Sequence, residues 1–174
     1  GRLRPRHGPG VGVYGGGGMS AAGEFRPFRE RVAEDEAQVI AFRIGGELHA
    51  CDIQLVEEVV TKRRVHPLPD MPPRLLGMLR LRGELVPVLN VAPLLELELE
   101  AETPVILVVA VGDTRLGVAV DATHDVVSLS PADYRPSPHS GGERDQYVAG
   151  VARIGGALVN LIDLAEMLRE QTSR

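Results

Sequence analysis

The stretch GMLRLRGELVPVLNVAPLLE, residues 77–96, is written twice in this chain. Its second copy, GVARIGGALVNLIDLAEMLR, occupies 150–169 and aligns without gaps at a constant offset of 73 residues. Gly77, Arg80, Gly83, Leu85, Val86, Ala92 and Leu95 recur as Gly150, Arg153, Gly156, Leu158, Val159, Ala165 and Leu168. Asn90 meets Asp163, and both residue types are good helix caps. Upstream, a strand running to Gly45 matches one running to Gly112 at an offset of 67, and the longer loop around SGGERD absorbs the difference. Each unit holds roughly five short strands, too few to bury a full core alone, so two paired units are expected.

Strand signals fill both units. QVIAFRI, a Gly45–Gly46 turn and ELHAC read as a hairpin, followed by VEEVV. HPLPDMPP is an extended loop that no helix could traverse. GMLRLR, a turn at Gly83 and ELVPVL form the next hairpin, and a short helical piece begins at Asn90. TPVILVVAV, a Gly112–Asp113 turn, TRLGVAV and HDVVSL repeat the rhythm; SPHSGGERDQ reads as a flexible loop. YVAGVARI, Gly155–Gly156 and ALVNLI close the strands. A final helix follows, with Asp163 as N-cap, Glu166 three residues on, and Leu161, Leu164, Ala165 and Leu168 on one face. The expected fold is mainly β, two small five-stranded barrels with short helices and a C-terminal helix, over residues 37–172.

Residues 1–18, GRLRPRHGPGVGVYGGGG, are rich in Gly, Pro and Arg without periodicity and read as disordered. Met19, opening MSAAGEF, offers a native start, with the stretch before it as a leader or an addition. Residues 19–36 read as a loose, charged tail, so the whole of 1–36 is expected to lie outside the folded unit.

Composition excludes several function classes. Net charge is −5, but residues 1–31 hold six Arg and two Glu, which leaves the remainder at −9. An acidic body without Trp, and with three Phe and three Tyr, suits neither a phosphate backbone nor base stacking. The single Cys51 forbids an intrachain disulfide or a cysteine-cluster zinc site and reads as a small buried hydrophobe in a cytoplasmic protein. The longest apolar run, VILVVAV at 105–111, falls far short of the roughly 20 residues of a membrane helix. The five His show no metal-ligand spacing, and the Asp residues sit at strand ends or caps. No catalytic residue, metal or cofactor is expected.

The repeat also serves as a control. By strand alternation Leu79 and Leu81 point inward, and Met78, Arg80 and Arg82 outward. Arg80 meets Arg153 in the second copy, but Arg82 meets Gly155. A position that the architecture needs is filled alike in both copies, so Arg82 stands out as copy-specific. Pro87 suggests an edge or bulge beside it. On the residues alone, a solvated strand charge and a partner contact are both open readings.

DIQLVEEV (52–59), HPLPDMPPRLLGMLRLRGELVPVLN (66–90), GVAVDATHDVVSLSPADYRP (117–136) and YVAGVARIGGALVNLIDLAEML (147–168) together resemble the CheW-like coupling proteins of bacterial chemotaxis. The resemblance runs from about Gln38 to about Leu168. It implies two interlocked five-stranded SH3-like barrels and a non-catalytic adaptor. The implied partners are the regulatory domain of a CheA-type histidine kinase, the cytoplasmic tip of chemoreceptors, and other CheW-like proteins in receptor arrays. It implies no nucleic acid, no direct membrane insertion, and a cytoplasmic place at membrane-bound receptors. The residues matching the family's receptor groove are Val56, Glu58 and Arg82, with Gly77, Gly83 and Leu85 alongside. Two departures are visible: Arg80 stands where the family has Asn, and Asn90 where it usually has Asp. The competing readings are a CheW-like scaffold of a motility or gene-regulatory pathway, a barrel broken from a larger kinase, and a small-ligand-binding β-barrel.

Overall fold

The computed structural model describes residues 26–137, 142 and 144–172, together with the backbone of 11–13. The strands are β1 (Val11–Val13), β2 (Ala37–Ile44), β3 (Glu47–Asp52), β4 (Val56–Val60), β5 (Leu75–Leu81), β6 (Glu84–Leu89), β7 (Val105–Val111), β8 (Thr114–Val120), β9 (Ala122–Leu129), β10 (Tyr134–Pro136), β11 (Val148–Ile154) and β12 (Ala157–Ile162). The helices are α1 (Phe28–Glu34) and α2 (Leu164–Thr172). One sheet has the order β1-β4-β7-β8-β6-β5, the other β10-β11-β12-β3-β2-β9. Each is five full strands plus one three-residue edge strand.

The two repeats are interlocked. The hairpin β2–β3 belongs by sequence to the first unit, yet β3 pairs in parallel with β12 and β2 with β9. The hairpin β7–β8 belongs to the second unit, yet pairs with β4 and β6. Each unit therefore lends its first hairpin to the other's sheet. Both sheets then close through the chain that follows an outer strand. Beyond β4, His66 bridges to Met78 on β5, each backbone donating to the other's carbonyl at 2.8 Å. Beyond β9, β10 pairs with β11.

Closure explains the repeated glycine. A Cβ on Gly77 would stand 2.3 Å from the carbonyl oxygen of His66, and one on Gly150 2.4 Å from that of Arg135. Both have positive φ, +152° and +158°, at a local register shift. Only hydrogen fits under the closing strand. Closure also accommodates Pro87, which lies on the interior strand β6 beside the register shift at Leu75/Gly77, the bulge of the two expected positions and not the edge. Its partner Met78 turns both backbone polar groups to His66, and parallel pairing with β8 begins one residue later at Val88.

Three apolar clusters follow from strand alternation. Val60, Leu79, Leu81, Val86, Val88, Ile106, Val108 and Ala119 fill the first barrel. Val39, Ala41, Ala50, Leu129, Val159 and Leu161 are among those filling the second. The largest cluster lies between them, where Ile40, Phe42, Val59, Leu107 and Val109 meet Leu164, Met167 and Leu168 of α2. Asp163 caps α2 as expected, its Oδ1 accepting from the Glu166 amide at 3.2 Å. The piece after Asn90 is a 3₁₀ turn (Ala92–Leu95), with the Asn90 side chain accepting from the Ala92 amide at 3.1 Å.

Three sequence expectations need correction. Part of the tail 19–36 is ordered: α1 buries Phe28 and Val32, one turn apart, in the second barrel's cluster. Arg31 of α1 pairs with Asp52 at the end of β3. Two apolar residues among charges are a weak periodic signal, which is why the helix was not legible. Within the stretch read as disordered, Val11–Val13 pairs with the β4 edge, Val13 opposite Glu58; the remainder of 1–25 lies outside the described residues. The loop SPHSGGERDQ is tied at its end, where Arg144 reaches Glu47 Oε1 at 2.6 Å and the Leu95 carbonyl at 3.0 Å.

His49 is fully buried beside Phe42, and neither ring nitrogen has a hydrogen-bond partner of ordinary geometry. Burial lowers its pKa to about 4, Glu47 and Arg144 acting in opposite directions on it. Burial likewise pushes the Cys51 thiol up, as suits an inert core residue.

Two measurements test these statements. Gly77→Ala should destabilise by about 3 kcal/mol or more, through backbone overlap and a positive φ. Gly83→Ala, at φ +81° with open space around it, should lose only about 1 kcal/mol in urea denaturation. Equal losses would mean that closure does not depend on Gly77. For His49 the folded pKa lies below the unfolded value, so its contribution is complete above about pH 6.5 and is lost as pH falls toward 4. The loss amounts to roughly 3 kcal/mol at most. His49→Leu should flatten the melting temperature between those two pH values.

Candidate partner-binding site

The site is built on the β5–β6 hairpin. Its two turn residues are Arg82 at φ +49° and Gly83 at φ +81°, a type I′ connection between Leu81 and Glu84. Arg82 therefore belongs to the turn, and the expectation that it shares a strand face with Met78 and Arg80 is corrected. The same turn closes β2–β3 and β11–β12, with Gly45 and Gly155 at the first position, while the β7–β8 turn has positive φ only at its first residue, Gly112. Only here does a side chain occupy the left-handed first position, which costs roughly 1–2 kcal/mol for an L residue. The repeat thus isolates a residue placed against local preference, a pattern expected where a side chain has a task.

Its guanidinium reaches Glu58 on β4. Nη1 donates to Oε2 at 3.3 Å and Nη2 pairs with Oε1. The two partners differ in environment: the Glu58 side chain is 3% exposed and that of Arg82 64%. A buried carboxylate needs a cation, and the turn supplies one while leaving much of the guanidinium facing solvent. Glu58 comes to this position through a register shift in β4 between Val56 and Glu58, which turns Glu57 outward.

Glu57 and the far side of the turn form a second set of contacts. Arg115 on β8 donates from Nε and Nη2 to the Glu57 carboxylate, both at 3.1 Å, and from Nη1 to Glu84 Oε2 at 2.6 Å. The hairpin tip is thereby held on both sides, Arg82 to Glu58 and Glu84 through Arg115 to Glu57. Sequence reasoning missed Glu57, Glu84 and Arg115. Glu84 has no charged counterpart in the second copy, where Ala157 stands, so the comparison that isolated Arg82 would have isolated it too.

The remaining candidates divide. Arg80 is exposed on β5, and Gly83 is exposed at the tip. Leu85, placed alongside the receptor groove by the resemblance, is 59% exposed, directly across from Arg80. Its repeat mate Leu158 is 69% exposed, so an outward leucine is a feature of both hairpins. Val56 is fully buried in the central cluster, and Gly77 lies under the closing strand. Those two hold the frame; Arg80, Arg82, Gly83 and Leu85 are exposed, with Glu58 buried beneath Arg82. Among the described residues, no group of three or more His, Cys, Asp or Glu stands close enough to hold a metal ion. No described helix is long and apolar enough to cross a membrane.

A family model for the CheW-like domain matches residues 38–172. The chain is 29% identical over 143 residues to the chemotaxis protein CheW of Treponema pallidum, covering 78% of this chain and 84% of that one. It is 28% identical over 147 residues to Protein FrzA of Myxococcus xanthus, covering 82% and 90%. Among solved structures, the scaffolding protein TtCheW of Thermoanaerobacter tengcongensis aligns with a TM-score of 0.65 at 24% identity, over 72% of this chain and 88% of that one. At that identity the match concerns the fold.

Turn strain and ion pair can be separated. Arg82→Ala loses the pair and keeps the strain, whereas Arg82→Gly loses the pair and relieves the strain. In urea denaturation Arg82→Gly should be the more stable of the two by about 1 kcal/mol. Equal stability would rule out a left-handed Arg82.

Proposed function

This chain belongs to the CheW-like family, and from that premise we propose that it is a non-catalytic adaptor coupling chemoreceptors to a CheA-type histidine kinase. The contact with the receptor's cytoplasmic tip is made through Arg82 and Glu58, with Arg80, Gly83 and Leu85 beside them. The observation that carries this reading is the left-handed Arg82, set on a buried Glu58 where the equivalent turn of the other barrel has Gly155. An adaptor requires a rigid frame and a surface that differs between its two similar halves, and the interlocked sheets provide both. The second barrel keeps the frame without the arginine, which leaves it suited to a different partner, the kinase regulatory domain. The protein acts in the cytoplasm and reaches the membrane through the receptors it holds.

The matching residue of the repeat supplies the test. Arg82→Gly should fold, since the turn prefers glycine, and should bind a chemoreceptor cytoplasmic fragment at least about tenfold more weakly, the scale of a lost charge-assisted contact. Binding to a CheA-type regulatory domain should be unchanged. Wild-type protein that binds neither partner in a pull-down would defeat the adaptor reading. Unchanged receptor binding by the variant would remove Arg82 from the site.

A further inference from the structure

Beside the Glu58–Arg82 pair lie four exposed cations with no carboxylate of their own: Lys62, Arg63, Arg64 and Arg80. None of them enters an ion pair among the described residues, whereas seven arginines elsewhere each reach an acid. Residues 59–83 contain six Lys or Arg and a single acid, Asp70. This segment is therefore +5 in a chain of net charge −5, and the rest carries −10.

The fold draws these cations together. The His66–Met78 bridge lays the segment after β4 antiparallel to β5, and Arg63 Nη2 donates to the carbonyl of Arg80 at 2.7 Å. Like charges set side by side repel, and no ion pair among the described residues offsets them. Across from Arg80 on β6 stands the exposed Leu85, an apolar contact within the basic surface. Arg74, by contrast, turns away to Gln171 at 2.6 Å.

We propose that Lys62, Arg63, Arg64 and Arg80, with Leu85 as apolar anchor, extend the Arg82 contact and select a receptor segment that is acidic around one apolar side chain. This rests on the receptor reading above and specifies the partner's chemistry. A protein carboxylate surface fits better than a nucleic acid. The segment 59–83 has no Phe, Tyr or Trp for base stacking, and the other −10 of charge would repel a long polyanion. The surface also sets where the encounter begins, because unpaired surface charge steers association before contact.

The test measures a labelled chemoreceptor cytoplasmic fragment binding the full chain in about 50 and about 500 mM NaCl, between which the screening length falls severalfold. The double variant Arg63→Glu/Arg80→Glu should bind at least tenfold more weakly in low salt. Its difference from wild type should shrink severalfold in high salt, a response that a merely structural role would not give. Arg153→Glu, the exposed repeat mate of Arg80 on the other barrel, should bind as wild type. If the double variant binds as wild type while Arg82→Gly does not, the receptor reading stands and this inference falls. If wild-type protein binds no receptor fragment, both fall. If the double variant loses retention of a labelled DNA duplex, or loses self-association in sedimentation, the cations serve a nucleic acid or a second copy, and the proposal is overturned.

Discussion

Each barrel closes where a backbone carbonyl rests on a glycine. The His66 oxygen lies over Gly77 and the Arg135 oxygen over Gly150, at distances no side chain would survive. Everything else in the architecture follows that approach. It accompanies the register shifts in β5 and β11 and gives the backbone polar groups of Met78, which stands opposite Pro87, a partner in His66. The Arg82 tip is thus positioned by an atom that is missing.

On this frame, local preference and electrostatics oppose each other at one residue. A type I′ turn favours glycine, and the other two such hairpins, with Gly45 and Gly155, comply. At the third, an arginine accepts roughly 1–2 kcal/mol of backbone strain and neutralises a carboxylate that β4 has buried. The solvent-exposed half of the guanidinium limits what the pair contributes to stability, so the two effects are of similar size. A residue that nearly breaks even in the fold is free to be chosen for what it contacts outside.

Much of this was legible in the sequence because duplication displays which positions the architecture repeats. The turn glycines, the inward Leu79 and Leu81, the Asp163 cap and the copy-specific Arg82 could all be read from an alignment of the chain with itself. The hairpin exchange could not be, since a repeat gives the order of strands without their pairing. The recurrence of Leu85 as Leu158 marked a shared position without its direction, and that position faces outward in both copies. The ordering of α1 depends on Phe28 and Val32 entering a distant core, which no short window contains. Arg115 lies far along the chain from Glu57 and Glu84, and only the fold brings the three together.

The exchange of hairpins between the two units has a further meaning. It is the arrangement that two separate copies of one unit would adopt in a twofold dimer, each completing the other's sheet. In such a dimer every substitution appears twice, so an arginine at one tip demands an arginine at the other. Joining the units on one chain lifts that restriction. Gly155 can then remain glycine while Arg82 departs from it, and a symmetric object becomes one whose two ends are free to differ.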